Sequence, residues 1–214
     1  VSFFDSSKEP TIFDVGGNVG EYSQSILNLK KDSHITIFEP SKKNCKILNK
    51  KFKNYKNIKI ENLGVSNKNG FAKLYHNTPG SPLASLYKRS FLGSKKVRMN
   101  GFEKIRITKI KNYMDKNNIK KIDLIKLDVE GYELECLKSL ENRINKVKVI
   151  QFEFGGCNID TRSYFRDFWI FFNNNKFDLY RITPFNLFKL KNYSENYENF
   201  LTTNFIAVNR NPNV

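Results

Sequence analysis

The stretch Thr11–Gly20 reads TIFDVGGNVG: a short apolar run, an acid, and then three glycines within five residues. The apolar run predicts a buried strand, and the glycines predict a tight loop with almost no side chains. In an open α/β sheet, the first strand–loop–helix turn is the usual place for a ligand, because a chain without Cβ atoms can approach it closely. The stretch therefore predicts an α/β fold with a ligand site at the carboxyl ends of its strands.

The rest of the chain supports this architecture, since short β-rich runs alternate with helical patterns. We predict strands over residues 11–16, 34–40, 58–66, 122–129 and 147–156, helices over 21–31, 41–52, 132–143 and 163–175, and antiparallel strands in the C-terminal segments FDLYRITP, NLFKLKNY and TNFIAVNR. A chain of 214 residues is long enough for one α/β domain and short for two. We therefore expect a single domain over residues 1–214.

Residues 71–110 break this alternation. FAKLY has the pattern of a strand, NTPGSPLASLYKRS that of a loop, and VRMNGFEKIRITKI that of one or two further strands. Long irregular connections in compact domains are often functional. We predict that this region is a small β-rich insertion over the active site, where it selects the substrate.

Composition excludes few partners. The formal net charge is +16, but lysines outnumber arginines and are scattered, so we expect no nucleic acid partner; an anionic substrate or membrane surface stays open.

The chain has no apolar run of about eighteen residues and its N-terminus has no signal-peptide pattern, so we expect a cytoplasmic protein without a transmembrane segment. Cys45, Cys136 and Cys157 lack metal-site spacing and are expected to be reduced, buried thiols. The oligomeric state stays open.

An acid ends each of the first two predicted strands, Asp14 in the first and Glu39 in the second. The glycine loop, residues 16–20, lacks the G-x-G-x-x-G spacing of dinucleotide sites, and a carboxylate before it would repel a pyrophosphate while suiting an ammonium group. A carboxylate at the end of the second strand can accept hydrogen bonds from a ribose diol. Both acids together predict S-adenosylmethionine as the cofactor. The alternative is that Asp14 caps the following helix and Glu39 is a surface residue.

Three motifs, D14-V-G-G-N-V-G20, F38-E-P40 and K126-L-D-V-E-G-Y-E133, together resemble the FkbM-type family of S-adenosylmethionine-dependent methyltransferases, over roughly residues 11–154. The resemblance implies a class I methyltransferase (Rossmann-like) fold, with a seven-stranded, mostly parallel sheet whose last strand is antiparallel. The later segment 152–162 is similar to a subgroup marker often found near surface-polysaccharide genes.

Carried over residue by residue, the resemblance implies a set of cofactor-binding positions in the glycine loop, at the strand ends and on the adenine side. These positions are Asp14, Gly16, Gly17, Asn18, Gly20, Glu39, Leu63, Gly64 and Asp128. Leu63 and Gly64 could equally be ordinary core residues.

Carboxylates gather where the chemistry is expected. Asp128 and Glu153 end neighbouring predicted strands and Glu130 follows the first of them, so repulsion should raise some of their pKa values. Such a cluster can act as a base or hold a divalent ion through Asp128 and Glu153; we expect a base and no required metal. The alternatives are a structural role for Asp128 and a helix-capping role for Glu130.

Four further residues are candidates for contacting the methyl acceptor. His76 and Arg89 lie in the predicted insertion, Arg89 beside Lys88, and Arg162 and Arg166 lie four residues apart at the start of a predicted helix. We expect methylation of a hydroxyl on a small molecule, most simply a sugar of a surface glycan or its precursor. The alternatives are methylation of an RNA ribose 2′-hydroxyl and a non-catalytic module that only binds the cofactor.

Overall fold

A computed structural model describes residues 9–90 and 97–211. The elements, in chain order, are β1 (Thr11–Val15), α1 (Glu21–Leu29), β2 (His34–Phe38), α2 (Lys42–Lys51), β3 (Ile58–Glu61), β4 (Gly64–Val65), β5 (Gly70–His76), β6 (Gly101–Thr108), α3 (Ile110–Lys116), β7 (Ile122–Leu127), α4 (Glu133–Lys138), β8 (Val147–Phe154), α5 (Cys157–Thr161), α6 (Phe165–Asn174), β9 (Phe177–Ile182), β10 (Leu187–Leu190) and β11 (Thr203–Asn209).

The main sheet has the strand order β10-β9-β11-β8-β7-β1-β2-β3, eight strands within the described residues. Strands β3, β2, β1, β7 and β8 are parallel, and β11 is antiparallel to both β8 and β9. The mostly parallel sheet and the antiparallel last strand are as predicted, but the predicted strand count of seven is wrong. The strand beyond the seven that the resemblance implies is β10, in the segment NLFKLKNY predicted as a strand from its own pattern; it pairs with β9 as a hairpin and buries Leu190 against the core.

Side-chain alternation along the strands builds a core on each face of this sheet. On one face, Phe13 and Phe152 lie in a large aromatic cluster with the buried side of α6, where Phe152 stacks on Phe168 at 5.0 Å between ring centroids. On the other face, Ile12 and Leu124 pack with side chains from α1 and α2. The three cysteines are buried and form no disulfides.

A second sheet has the strand order β4-β6-β5; β5 and β6 come from the region predicted as the insertion, whereas β4 (Gly64–Val65) precedes it. Strand β5 is antiparallel to β6, and Leu74, Ile105 and Ile107 form a small core of their own. Residues 91–96 of the predicted insertion lie outside the described residues. The β-rich part therefore runs from Gly70 to Thr108, and α3 follows it.

Two elements differ from the prediction by more than a residue or two at an end. The predicted strand 58–66 is divided between the two sheets, with β3 beside β2 and β4 beside β6. The predicted helix 132–143 ends as an α-helix at Lys138, and a 3-10 turn spans Glu141–Lys146. Glu141 has a φ of 48°, in the left-handed region, and this conformation interrupts the α-helical hydrogen bonds. Across the residues that the structure describes, none of the helices has the length and apolar character needed to span a bilayer.

Candidate active site

A cleft of about 250 Å³ opens at the carboxyl ends of β1, β2 and β7. Eight of the predicted site residues line it: Gly16, Gly17, Asn18, Glu39, Leu63, Gly64, Asp128 and Glu130. The lining also includes residues that the sequence analysis did not identify, among them Tyr22, Asn44, Ser81, Ser85 and Lys126. The strand-end position agrees with the general rule for ligand sites in α/β sheets.

The glycine loop lines the cleft, and two of its glycines also pack closely against neighbouring residues. Gly16 has a φ of 85°, and a Cβ there would clash with the backbone oxygen of Asp128. Gly20 has a φ of 78° and lies against Phe52 and Leu48 of the α2 region rather than in the cleft. The glycines therefore bring the loop after β1 close to the loop after β7 and to α2.

Glu39 lies just beyond the end of β2 and faces the cleft, although it is nearly buried. One of its oxygens accepts a hydrogen bond from the backbone N–H of Asn18 and the other accepts one from the backbone N–H of Ser41, each at 2.8 Å. Burial raises the pKa of Glu39 to about 7. The carboxylate is thus fixed in place, and each oxygen keeps a lone pair for a hydroxyl of a ligand.

Asp14 lies beneath the glycine loop and is not among the residues that line the cleft. Its side chain is fully buried, and its Oδ2 accepts a hydrogen bond from the Ser23 hydroxyl of α1 at 2.6 Å. Burial raises the pKa of Asp14, while the charge of Lys126 opposes that shift. The structure thus places Asp14 below the floor of the cleft and Glu39 at its wall.

The three predicted carboxylates, Asp128, Glu130 and Glu153, come together; Asp128 and Glu130 line the cleft, whereas Glu153 lies beside them and is not among the lining residues. Each offers an oxygen that lies within 4.8 Å of the others. Burial, followed by repulsion from Asp128 and Glu130, raises the pKa of Glu153 to about 7. Burial also raises the pKa of Glu130. We call these three residues the acidic cluster; its oxygens are spaced closely enough to share a proton or a cation.

Two cations contact the acidic cluster. Lys126 Nζ donates a hydrogen bond to Asp128 Oδ2 at 2.9 Å and lies 4.9 Å from the centroid of the Tyr22 ring. Arg89, in the loop after β5, forms an ion pair with Glu130, and its Nε lies 3.5 Å from a carboxylate oxygen of Asp160. These contacts place positive charge beside two of the three carboxylates, Asp128 and Glu130, and link the loop after β5 to the cluster.

Glu133 shapes the loop that carries the acidic cluster. It is fully buried, and its Oε1 accepts hydrogen bonds from the backbone N–H groups of Val129, at 2.9 Å, and Gly131, at 3.2 Å. Burial raises its pKa to about 8. Glu130 adopts a left-handed φ of 55° in this loop. Glu133 therefore fixes the loop between β7 and α4, the start of α4 has no side-chain cap at Tyr132, and the side chain of Glu130, considered for capping, pairs with Arg89 instead.

Of the four candidate acceptor residues, the structure brings only Arg89 to the acidic cluster. His76 is buried with its ring against Gly101 and is not among the residues that line the cleft. Arg162 and Arg166 are exposed and do not share one helix, because Arg162 follows α5 with a φ of 55° and α6 begins only at Phe165. The predicted helix 163–175 is α6, which begins at Phe165, so Arg162 lies outside it, directly after the additional helix α5.

The lining residues that were not predicted differ in whether a sequence pattern could have indicated them. Lys126 precedes Asp128 by two residues, so strand alternation places both on one face of β7, and this spacing could have revealed the pair. Ser85 lies in a long loop and donates a hydrogen bond from its hydroxyl to the carbonyl of Glu130 at 2.9 Å. No sequence pattern predicts a contact of that kind.

Comparison with known proteins gives a family and a fold. A family model for the methyltransferase FkbM domain matches residues 14–202. A comparison with curated protein sequences gave no significant match.

Several solved structures resemble the chain over nearly its whole length. A Streptococcus mutans protein assigned as a methyltransferase, solved with SAH, is 9% identical with a TM-score of 0.51, covering 97% of this chain and 93% of that chain. A fibrillarin pre-rRNA processing protein of Methanococcus jannaschii is 11% identical, with a TM-score of 0.51 and coverages of 94% and 67%. An rRNA methylase of Streptococcus thermophilus is 10% identical, with a TM-score of 0.50 and coverages of 95% and 88%. At such identities the likeness concerns the fold, and the predicted class I methyltransferase fold is confirmed.

Proposed function

Because the chain belongs to the FkbM family of S-adenosylmethionine-dependent methyltransferases, we propose that it methylates a hydroxyl group of a sugar in a surface glycan or in a precursor of one. The observation that carries this proposal is the acidic cluster at the edge of the cleft. An alcohol must lose a proton when it accepts a methyl group, and a carboxylate with a raised pKa suits that task.

The residues of the cleft fit the cofactor. Glu39 would hold the ribose hydroxyls, the backbone of residues 16–18 would lie along the methionine part, and Leu63 with Gly64 would border the adenine. Asp14, below the loop, would lie beneath the cationic amino-acid tail. When bound, S-adenosylmethionine supplies an electrophilic methyl group on a sulfonium.

Glu153 is the proposed general base. With a pKa of about 7, part of the Glu153 carboxyl is deprotonated near neutral pH, and the carboxylate is basic enough to accept the proton of the acceptor hydroxyl. Asp128 is paired with Lys126 and lines the cleft, so it is placed to orient the acceptor hydroxyl or to face the positive charge of the cofactor. A positioned base contributes about 10²–10⁴-fold in rate, and holding the acceptor in line contributes about 7–11 kcal/mol of the barrier reduction.

The acidic cluster also has the donor atoms for a divalent cation, but the proposed reaction does not depend on one. Lys126 and Arg89 already supply positive charge to two of the three carboxylates. We therefore expect methyl transfer to persist after treatment with EDTA. Loss of transfer in EDTA, with recovery on adding Mg²⁺ or Mn²⁺, would assign the cluster to a metal instead.

Labelled methyl transfer tests the proposal. The protein is incubated with S-adenosylmethionine carrying a labelled methyl group and with glycans, nucleotide sugars or lipid-linked sugars. The expected product is a methyl ether, whose label survives alkali. Label confined to an ester or an amine contradicts the proposal, and label in RNA ribose assigns the nucleic acid alternative. SAH binding by calorimetry without methyl transfer to any of these acceptors or to RNA would favour the non-catalytic module that only binds the cofactor.

A further inference from the structure

Among the described residues, five exposed apolar side chains lie around the carboxyl ends of β8 and β9 and the start of β11, at the same end of the sheet as the cleft. Phe185, in the turn between β9 and β10, is 96% exposed, and Leu201, before β11, is 68% exposed. The other three exposed side chains are Ile159, Tyr164 and Phe188. We call these five residues the apolar rim. Exposed apolar side chains gathered at one place mark an interaction surface more often than scattered ones do.

Strand register places the hairpin turn near the acidic cluster. Asn204 of β11 lies opposite Glu153 of β8, and the next residue, Phe205, lies opposite Arg181 of β9. Strand β9 ends one residue after Arg181, at the level of Glu153, so the turn with Phe185 extends beyond that level. Neighbouring strands lie about 4.8 Å apart, so β9 is about 10 Å from β8.

The other members of the rim lie at the same end of the sheet. Ile159 is in α5 and Tyr164 directly precedes α6, and both follow the carboxyl end of β8. Leu201 comes just before β11, whose first residue, Thr203, is paired with Phe154 at the end of β8. The rim therefore lies at the end of the sheet where Glu153, a member of the acidic cluster, lies near the end of β8.

Positive charge accompanies the apolar rim. Arg162 and Arg166 flank Tyr164 and are exposed, and Arg181 lies opposite Phe188 in the β9–β10 hairpin. The chain as a whole has a formal net charge of +16.

Two acidic side chains at this end are engaged with the start of α6. Glu198 accepts hydrogen bonds from the backbone N–H groups of Phe165, at 2.7 Å, and Arg166, at 2.8 Å. Asp167 accepts one from the N–H of Tyr164 at 2.9 Å. Their charge is thus directed at the helix N-terminus, where the backbone N–H groups complement it.

We propose that the apolar rim and its arginines dock on an anionic lipid bilayer and hold the mouth of the cleft at the membrane surface. Aromatic and aliphatic side chains that protrude beside cations match the boundary between acyl chains and anionic headgroups. Nucleic acid would use the arginines but has no apolar phase to receive Phe185 and Leu201. A bilayer at this position would present a lipid-borne acceptor to the cleft; that step rests on the proposed function, whereas the docking does not.

Vesicle sedimentation tests the docking. The full chain is mixed with phosphatidylcholine vesicles, with or without roughly one third phosphatidylglycerol, at about 0.15 M salt. We expect binding only to the anionic vesicles, and an about tenfold weaker partition for the double variant Phe185→Ser/Leu201→Ser. The matched control is Leu29→Ser, because Leu29 is 83% exposed at the end of α1, on the opposite side of the sheet.

A second pair of variants tests whether the positive charge beside the apolar rim contributes to vesicle binding. Arg162→Gln/Arg166→Gln should weaken binding to the anionic vesicles several-fold, about as expected for two cations at the surface. The control, Lys53→Gln/Lys56→Gln, removes two exposed charges at the opposite end and should leave binding unchanged.

Three outcomes would overturn the docking proposal. The first is no binding of the unaltered protein to anionic vesicles, and the second is an equal loss in the rim variants and their controls. The third is loss of self-association or of RNA binding in the rim variants with vesicle binding unchanged, which would assign the surface to a second copy or to nucleic acid. Calorimetry with SAH on each variant verifies that it is folded. Vesicle binding without methyl transfer to any sugar would refute the proposed function and leave the docking intact.

Discussion

The carboxylate of Glu39 accepts a hydrogen bond from the backbone N–H of Asn18 at 2.8 Å, so the end of β2 is tied to the glycine loop. We expect Glu39→Gln to weaken SAH binding about ten- to hundredfold, because a hydrogen bond to a charged group contributes about 1.5–3 kcal/mol. Calorimetric titration with SAH measures the change.

The matched control is Glu61→Gln. Glu61 ends the neighbouring strand β3 and accepts a hydrogen bond from the Tyr113 hydroxyl at 2.9 Å, but it is not among the residues that line the cleft. Equal losses of affinity in the two variants would show that Glu39 acts through the stability of the sheet edge and not through the ligand.

The position of the site was predictable because it depends on sheet topology. Strands β7 and β8 are parallel neighbours, so Asp128 and Glu153 had to meet at one edge. The burial of Asp14 could be predicted only by also working out which face of the sheet its side chain is on. Phe13 and Ile12 belong to the cores on opposite faces of the sheet, and alternation puts Asp14 on the face of Ile12, where α1 covers it.

The loop after β5 was not predictable in the same way. Its path over the cleft depends on contacts with residues far away in the chain, such as Ser85 with Glu130 and Ser90 with Asp160. Neither contact has a periodicity or a spacing that a single sequence reveals. The same holds for Arg162, whose left-handed conformation separates α5 from α6.

A second prediction concerns the proposed base. Glu153→Gln should lower kcat by about 10²–10⁴-fold, with little change in SAH affinity, because it removes the proton acceptor and leaves the cofactor contacts in place. Initial rates at saturating S-adenosylmethionine measure kcat. A variant that keeps its normal kcat would exclude Glu153 as the base.

The pH profile gives an independent measurement of the same group. A base with a pKa of about 7 must be deprotonated to act, so kcat should fall as the pH falls below 7. Asp128 contributes to that raised pKa by repulsion. In Asp128→Asn the acid limb of the residual activity should therefore move to lower pH, and a limb that stays in place would contradict the coupling.

A third prediction compares two glycines with positive φ. Gly16→Ala should strongly reduce both stability and SAH binding, because its Cβ would clash with the backbone oxygen of Asp128 in addition to the strained φ of 85°. In Gly70→Ala, a Cβ would have open space and only the strain would remain, a cost of about 1–2 kcal/mol. Urea unfolding of both variants measures the difference, and equal destabilisation would contradict the close contact between the two loops.

A fourth prediction concerns Arg89, which links the loop after β5 to Glu130 and Asp160. Arg89→Ala should raise KM for the acceptor about tenfold or more while leaving SAH affinity unchanged, because the buried ion pair that holds the loop is lost. The control is Lys88→Ala, its exposed neighbour. An equal change in SAH affinity would place Arg89 in cofactor binding instead.

The last prediction concerns the pH dependence of stability that Glu133 causes. Burial raises the pKa of this carboxyl to about 8 in the folded protein, from an ordinary value of 4.5. Between those values the folded chain binds more protons than the unfolded chain, so the free energy of unfolding should fall as the pH rises, by at most about 1.4 kcal/mol per unit for one group. Urea unfolding at several pH values should therefore show a shallower fall in Glu133→Gln, which does not titrate. Glu135→Gln, on the same helix and paired with Lys138, should keep the fall of the unaltered protein, and an unchanged slope in Glu133→Gln would mean that Glu133 is already ionised in the folded state.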